Sequence, residues 1–236
     1  MRRSIAPLLL TTLLLAACGG SGKPAPTTAP PNGEASKSAT QVLKDTTAAA
    51  THAKSVHIAG TVTSGGKTIS LDLKIANGKG ATGTMSVNGA SFALVTLGGK
   101  AYIRASDAFY KQFAGAAGAA AAKLLHGKWL EGSATTGQLA SLAAFTNLSQ
   151  LFNQVASVHG TLTNNGATTY QGQSAVAIHS AAQDGTLYVA ASGKPYPVAL
   201  VATGKNKGSI TFSDWNASVS ISAPSGAVDV SQLLGG

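Results

Sequence analysis

The chain has 236 residues, a single cysteine, 17 Lys and Arg against 8 Asp and Glu, and a formal net charge of +9. One cysteine excludes a disulfide-stapled fold, so the structure must stand on its hydrophobic core. So few carboxylates leave little for paired-carboxylate catalysis, and scattered lysines with no nucleic-acid-binding motif argue against nucleic acid as a partner.

At the N-terminus, Arg2-Arg3 precede a leucine-rich run, Leu8 to Leu15, that closes in Leu15-Ala16-Ala17-Cys18. A basic start, a short apolar centre and small residues before a cleavage point make a secretory signal. The run is shorter than the roughly 20 residues that cross a bilayer. Leu-Ala-Ala-Cys resembles the lipobox of bacterial lipoproteins. The resemblance implies that the Cys18 thiol receives a diacylglycerol and that Cys18 becomes the first residue once 1–17 are removed. A plain secretory signal with a chance cysteine is the alternative. The implied location is the extracytoplasmic face of the cell membrane, held there by a lipid anchor. No cofactor is expected in that compartment. A basic balance outside the cell favours anionic lipid headgroups or cell-wall polymers.

Residues 18–38, rich in Gly, Pro, Ser and Thr, are expected as the lipidated cysteine and a disordered tether. About 20 such residues span roughly 25 Å r.m.s.. Residues 39–236 are expected as one domain. A helical pattern covers Ala39–Lys54. Val56–Thr63 reads as a strand, and Gly65-Gly66 as a hairpin turn. In the next strand Ile69, Leu71, Leu73 and Ile75 alternate with Ser70, Asp72 and Lys74, which buries one face and leaves the other in water. Asn77-Gly78, Asn88-Gly89 and Gly98-Gly99 mark further turns between Thr82–Val87, Ser91–Leu97 and Ala101–Ala105, an antiparallel meander of about five strands. Phe109, Tyr110 and Phe113 lie at helical spacing in Asp107–Phe113, followed by the Ala/Gly run Ala114–Ala122. These are a candidate lid or an ordinary packed helix. Leu139, Leu142, Phe145, Leu148, Leu151, Phe152 and Val155 fit two short helices broken near Asn147, with Asn147 as N-cap of the second. Strands return at Thr168–Gln171, Ser174–His179, Thr186–Ala191, Val198–Thr203, Ser209–Trp215 and Ser218–Ser222. The class is α+β, with helices on one face of a large antiparallel sheet.

Catalytic constellations are not evident. Asp72 lies on the solvated face of its strand, and Asp107, Asp184 and Asp214 stand at element ends, where Asp caps or turns. His52, His57, His126, His159 and His179 show no metal-ligand spacing. Gly172-Gln173-Ser174-Ala175-Val176 fails the nucleophile-elbow pattern at its last position. The chain is expected not to be an enzyme. A wide sheet capped by helices either packs solid or leaves room for an apolar ligand, and both remain open on sequence grounds.

The last third carries a second resemblance. Gly185-Thr186-Leu187-Tyr188-Val189-Ala190, Gly193-Lys194-Pro195-Tyr196-Pro197-Val198, Ile210-Thr211-Phe212-Ser213-Asp214-Trp215-Asn216, Val219-Ser220-Ile221 and Ala223-Pro224 resemble the actinobacterial LppX/LprA/LprF/LprG lipoproteins, and more loosely the carriers LolA and LolB. The helical stretch Phe145–Val155 is similar to that family's middle segment, although Asn147-Leu148 stands where the family commonly has a proline. The resemblance covers about residues 39–230. It implies a curved antiparallel half-barrel with helices across its concave face. It implies a hydrophobic cavity for an acylated lipid or glycolipid, carried within the cell envelope. The cavity lining it implies is Ile69, Leu71, Leu73, Ile75, Phe92, Leu94, Phe109, Tyr110, Phe113, Leu139, Leu142, Phe145, Leu148, Leu151 and Phe152. Expected partners are the lipid, the membrane and an envelope transporter, with the protein a monomer. The alternative is a non-enzymatic cell-envelope interaction module with a solid core and no ligand.

Overall fold

The computed structural model describes residues 29–134, 136, 147–156 and 160–230, the last three residues of 147–156 by backbone only. Cys18, Leu139, Leu142 and Phe145 lie outside the described residues.

Helix α1 (Ala39–Thr51) starts at Ser38, whose side chain accepts from the Gln41 amide. The meander follows as β1 (Ser55–Ser64), β2 (Lys67–Ala76), β3 (Gly80–Val87), β4 (Ala90–Leu97) and β5 (Lys100–Ala105). Its turns are the Gly-Gly and Asn-Gly pairs singled out above, which supply the positive φ that tight hairpins need. Helix α2 (Asp107–Phe113) and helix α3 (Gly118–Leu125) form a hairpin leading to β6 (Leu130–Ser133). Helix α4 (Leu148–Ala156) is capped by Asn147, whose Oδ1 accepts from the Ser149 and Gln150 amides. The second meander is β7 (Leu162–Tyr170), β8 (Gln173–Ser180), β9 (Gly185–Ala190), β10 (Pro197–Thr203) and β11 (Lys207–Ser213), and β12 (Val228–Asp229) ends the sheet.

All twelve strands join one sheet in the order β12-β6-β5-β4-β3-β2-β1-β11-β10-β9-β8-β7. The expected half-barrel does not form: the sheet is open and uncurled, with β12 and β7 as its two edges. It is also mixed, because β12 pairs parallel with β6. The physical reason is that alternation and short turns specify neighbours, not curvature. Hairpins add strands side by side, and closure needs a pairing between edges that is absent among the described residues. The parallel pair arises because the chain after β11 crosses the sheet before pairing. The Asn216 amide donates to Ser55 O, Ile221 passes Gly80 of β3, and the Val228 amide donates to Trp129 O. Ser218–Ser222, expected as a strand, is this crossing segment. Val95 and Tyr102 point to the side it crosses and are buried there.

The other face is apolar, and the four described α-helices pack on it. Ala50, Ala53, Leu148 and Phe152 cover Val56, Ile58, Leu73, Ile75, Ala81 and Leu94. The start of α1 covers Val176, Ile178, Leu187 and Val189 with Ala39 and Val42. Tyr110 and Ala122 of the α2–α3 hairpin cover Ala105 and Leu130. Asn77 pins three elements together: its Nδ2 donates to Ala53 O at 3.0 Å and Thr51 O at 3.2 Å, and its Oδ1 accepts from the Leu148 amide.

The tether expected over 18–38 gives up its last residues to the domain. Asn32 donates through Nδ2 to Ala190 O at 2.7 Å, and Asn164 donates through Nδ2 to Lys37 O at 2.8 Å. The Lys37 ammonium lies 2.7 Å from both Glu34 and Asp45, and Glu34 is buried. Composition does not disclose this, because the segment orders itself on polar partners supplied by β7 and β9 rather than on apolar burial. Asp45, and then Glu34, hold the Lys37 ammonium above its ordinary range, while hydrogen bonding to Lys37 holds the Asp45 carboxyl below the usual carboxylate range.

Two outcomes follow from this packing. Leu73, 1% exposed, cannot host a carboxylate: Leu73→Asp should cost more than about 4 kcal/mol and unfold much of the protein, while Lys74→Asp on the solvated face should stay within about 0.5 kcal/mol, both read by urea denaturation. Asp45 ionises more readily folded than unfolded. Its contribution is therefore present above about pH 4, the unfolded value, and lost as pH falls through the lower folded value. The melting temperature should drop across that acid window, and Asp45→Asn should flatten the drop; an unchanged acid slope in the variant would remove the pair from the stability of the clasp.

Candidate functional site

Register places one row of residues straight across the apolar face: Phe92, Met85, Leu71, Gly60, Ile210 and Leu200, on β4, β3, β2, β1, β11 and β10 in turn. The five side-chain-bearing members are all half-buried, unlike the fully covered Leu73 and Leu94 in the adjoining row. Adjacent strands lie about 4.8 Å apart, so the row is about 24 Å long. That exceeds the ~15 Å an acyl chain occupies in one leaflet, half of a ~30 Å hydrocarbon core. At its centre Gly60 holds φ +154, and a Cβ there would overlap the Ser209 carbonyl oxygen of β11. Only glycine fits this approach, and it leaves the middle of the row without a side chain.

Of the implied lining, Leu73, Ile75 and Leu94 of the sheet and Leu148 and Phe152 of α4 are packed core. Ile69, Leu71 and Phe92 are half-buried, and Leu151 packs half-buried against the same core. On α2, Phe109 meets Phe92 edge-on at 5.3 Å between centroids, and Tyr110 is buried. Burial raises the Tyr110 phenol above its ordinary value. Phe113, 51% exposed, is not part of that core. The structure thus splits these aromatics and aliphatics into an α4 cluster and an α2–α3 cluster, bridged by Phe92 and Ile103, which pack against both. The Ala/Gly run resolves into a short 3-10 turn at 115–117 and α3, where Gly118 lets the backbone of α3 approach Tyr110 and Lys111 of α2. Met85, Ile103, Ile210 and Gly60 were missed. The available signal was a glycine inside a strand and Ile210 two residues before Phe212 in an alternating run.

A hollow opens at each end of this row, beside Leu200 and beside Phe92. One of about 60 Å³ lies between α1 and the second meander, lined by Leu43, Leu162, Ile178, Leu187 and Leu200 among others. It is well short of the ~300 Å³ at which ligand pockets begin. The other, about 610 Å³, is an open surface depression and not an enclosed pocket, lined by Thr84, Ser91, Phe92, Arg104, Asp107 and His126 among others. His126 Nδ1 lies 2.9 Å from Asp107 there, and Arg104 lies over the Trp129 ring.

On the solvated face the fold assembles a group of four side chains that the sequence separates. His57 Nε2 lies 2.8 Å from Asp72, and its Nδ1 lies 3.3 Å from Ser213 Oγ and 3.6 Å from Asp214. The likeness to a hydrolytic triad is superficial. The orienting carboxylate of such a triad is buried, whereas the Asp72 and Asp214 side chains are 64% and 63% exposed. The cluster laces β1 to β2 and to the end of β11. Among the described residues no group of three or more His, Cys, Asp or Glu is placed to hold a metal ion, and no helix is long and apolar enough to cross a membrane.

No protein-family model and no curated protein sequence matches this chain. Solved structures do. LprF from Mycobacterium bovis superposes with a TM-score of 0.54 at 18% identity, over 80% of this chain and 97% of LprF. The lipoprotein LppX from Mycobacterium tuberculosis gives a TM-score of 0.49 at 18% identity, over 78% of this chain and 98% of LppX. At this identity the likeness to LprF is one of fold. The chain folds as LprF does.

Proposed function

We propose that this protein is a membrane-anchored extracytoplasmic lipoprotein that binds an acylated lipid or glycolipid on the apolar face of its sheet and carries it within the cell envelope. The observation that carries this reading is the half-buried row from Phe92 to Leu200, a continuous apolar strip of acyl-chain length left partly open in an otherwise packed face. The lipobox at Cys18, the shared fold with LprF and the resemblance to the LppX/LprG lipoproteins support it. The mechanism is physical exchange. An acyl chain leaves the bilayer and lies along Met85, Leu71 and Ile210, each methylene withdrawn from water contributing about 0.8 kcal/mol. No bond is made or broken, so the protein acts as a carrier and not as an enzyme. Hand-over to an envelope transporter by a monomer completes the reading.

One observation favours a second reading. Leu73, Ile75, Leu94 and Leu148 are essentially inaccessible, as in a solid core, and a solid-core protein would serve as an interaction module without ligand. Mass spectrometry of organic extracts of the purified full chain separates the two. The carrier should bring an acylated lipid with it in near-stoichiometric amount, and Met85→Asp should remove that lipid while circular dichroism stays native. A folded protein that extracts clean would favour the interaction module. For the anchor, Cys18→Ala should leave an uncleaved or released form lacking an acyl mass. Unchanged processing and membrane retention in that variant would refute the assignment.

A further inference from the structure

We infer that the end of the sheet bearing Lys54, Lys79 and Lys194 lies flat against the anionic headgroups of the bilayer that anchors the protein. The inference rests on the anchor at Cys18 proposed above and adds which surface meets the membrane.

The point where the chain leaves the domain selects that end. Pro31 bridges Ser192, the Gly193 amide donates to Pro30 O at 3.1 Å, and the Asn32 amide donates to Ala191 O at 3.0 Å. The chain running back toward Cys18 therefore departs at the turn between β9 and β10, beside Lys194. Residues 18–29 reach at most about 40 Å when fully extended. The sheet itself is long in the same direction: β1 has 10 residues, about 34 Å. To set the opposite end on the bilayer, where Lys67, Lys205 and Lys207 lie, the segment would have to run almost fully stretched along the whole sheet. The near end demands no such extension. Charge alone does not choose between the ends, since both carry lysines; the exit does.

The near end is also built for an interface. Lys54 follows α1, Lys79 sits in the β2–β3 turn and Lys194 in the β9–β10 turn, and all three are exposed. None of them forms an ion pair among the described residues. Of the carboxylates close to this end, Asp214 faces His57 at 3.6 Å, Glu131 holds Lys100 at 3.0 Å, and Asp229 lies beside Glu131 and acts on Lys100. Between Lys54 and Lys194 stand Tyr196 and Trp215, stacked with centroids 4.6 Å apart and half-buried. The Tyr196 hydroxyl accepts from Asn216 Nδ2, and Trp215 Nε1 donates to Pro197 O. Half-buried Tyr and Trp beside unpaired lysines suit the boundary between headgroups and water, where amphipathic rings settle and Lys meets anionic lipid. Anionic lipid headgroups are the occupant that fits this set.

Lysine footprinting on the full-length lipoprotein in its own membranes tests the assignment. A membrane-impermeant amine reagent is applied to spheroplasts and, in parallel, to detergent extracts, and each lysine is read by mass spectrometry. Lys54, Lys79 and Lys194 should label at least about five-fold less in membranes than in detergent, while Lys67, Lys205 and Lys207 label alike in both. The protection should persist for the purified lipoprotein in phosphatidylglycerol vesicles and vanish in phosphatidylcholine vesicles. In a Lys54→Glu/Lys79→Glu variant, Lys194 remains as reporter and should return to full labelling with the protein still in the membrane fraction. Equal labelling of both ends, or protection centred on Lys67, Lys205 and Lys207, in protein that sediments with membranes overturns this inference and leaves the anchor standing. Protein absent from the membrane fraction overturns the anchor, and this inference with it.

Discussion

The pairing of β1 with β11 joins the two halves of the chain into one sheet. Seven residue pairs, His57–Ser213 to Thr63–Lys207, knit it. The partners are far apart in sequence, 156 residues between His57 and Ser213, and closing such a loop costs about 4–5 kcal/mol in chain entropy. Two local meanders, each assembled through short turns, make that closure worthwhile, because they present ready-made edges. Gly60 and Gly208 make the approach feasible: at each, a Cβ would overlap a backbone carbonyl of the opposite strand. The half-buried row runs directly across this junction, so the proposed lipid-bearing face exists only once the two halves have met.

The apolar face is divided by what covers it. Where α4 lies on β1 to β4, side chains are sealed. Where Leu71, Met85 and Phe92 extend beyond α4 toward the other end of the sheet, they are only half covered. The same sequence alternation produces both zones, and the helices decide which is core and which is available surface. The proposed carrier role needs this division. A stable closed core keeps the sheet rigid without ligand, and a partly open strip gains by taking an acyl chain that would otherwise meet water.

The two terminal segments act on the sheet from outside its hydrogen-bond ladder. Residues 30–38 are tied down by Asn32, Asn164 and the Lys37 bridge between Glu34 and Asp45. The segment after β11 crosses the solvated face and adds β12 to the far edge at β6. That addition gives the edge strand partners for its exposed backbone groups, which limits edge-to-edge association. The N-terminal clasp sets the place from which any anchor must pull. With the proposed anchor at Cys18, it makes one end of the molecule the nearer to the membrane.

Much of the architecture was legible in the residues. Ile69 to Ile75 alternates with period two, and the face it exposes and the face it buries are those observed. Asn77-Gly78 and Asn88-Gly89 specified their turns through backbone chemistry, and Asn147 its helix start through an acceptor side chain. These are local determinants, read within a few residues. β6 and β12 were illegible because each is short and exists only through its partner. β7 extends further than its alternation shows, since Thr163–Gly166 carries no apolar side chain and gains its strand character from β8. The order of residues 30–38 was hidden for the same reason, as its partners are remote amides. Sequence by itself determined the alternation, the turns, the α+β class and the presence of a lipobox-like signal, because each depends on neighbours along the chain. Tertiary structure alone decided that the sheet stays open, that Leu71, Met85, Phe92 and Ile210 form one half-covered row, and that the chain exits beside Lys194, because each depends on pairings between residues that the sequence sets far apart.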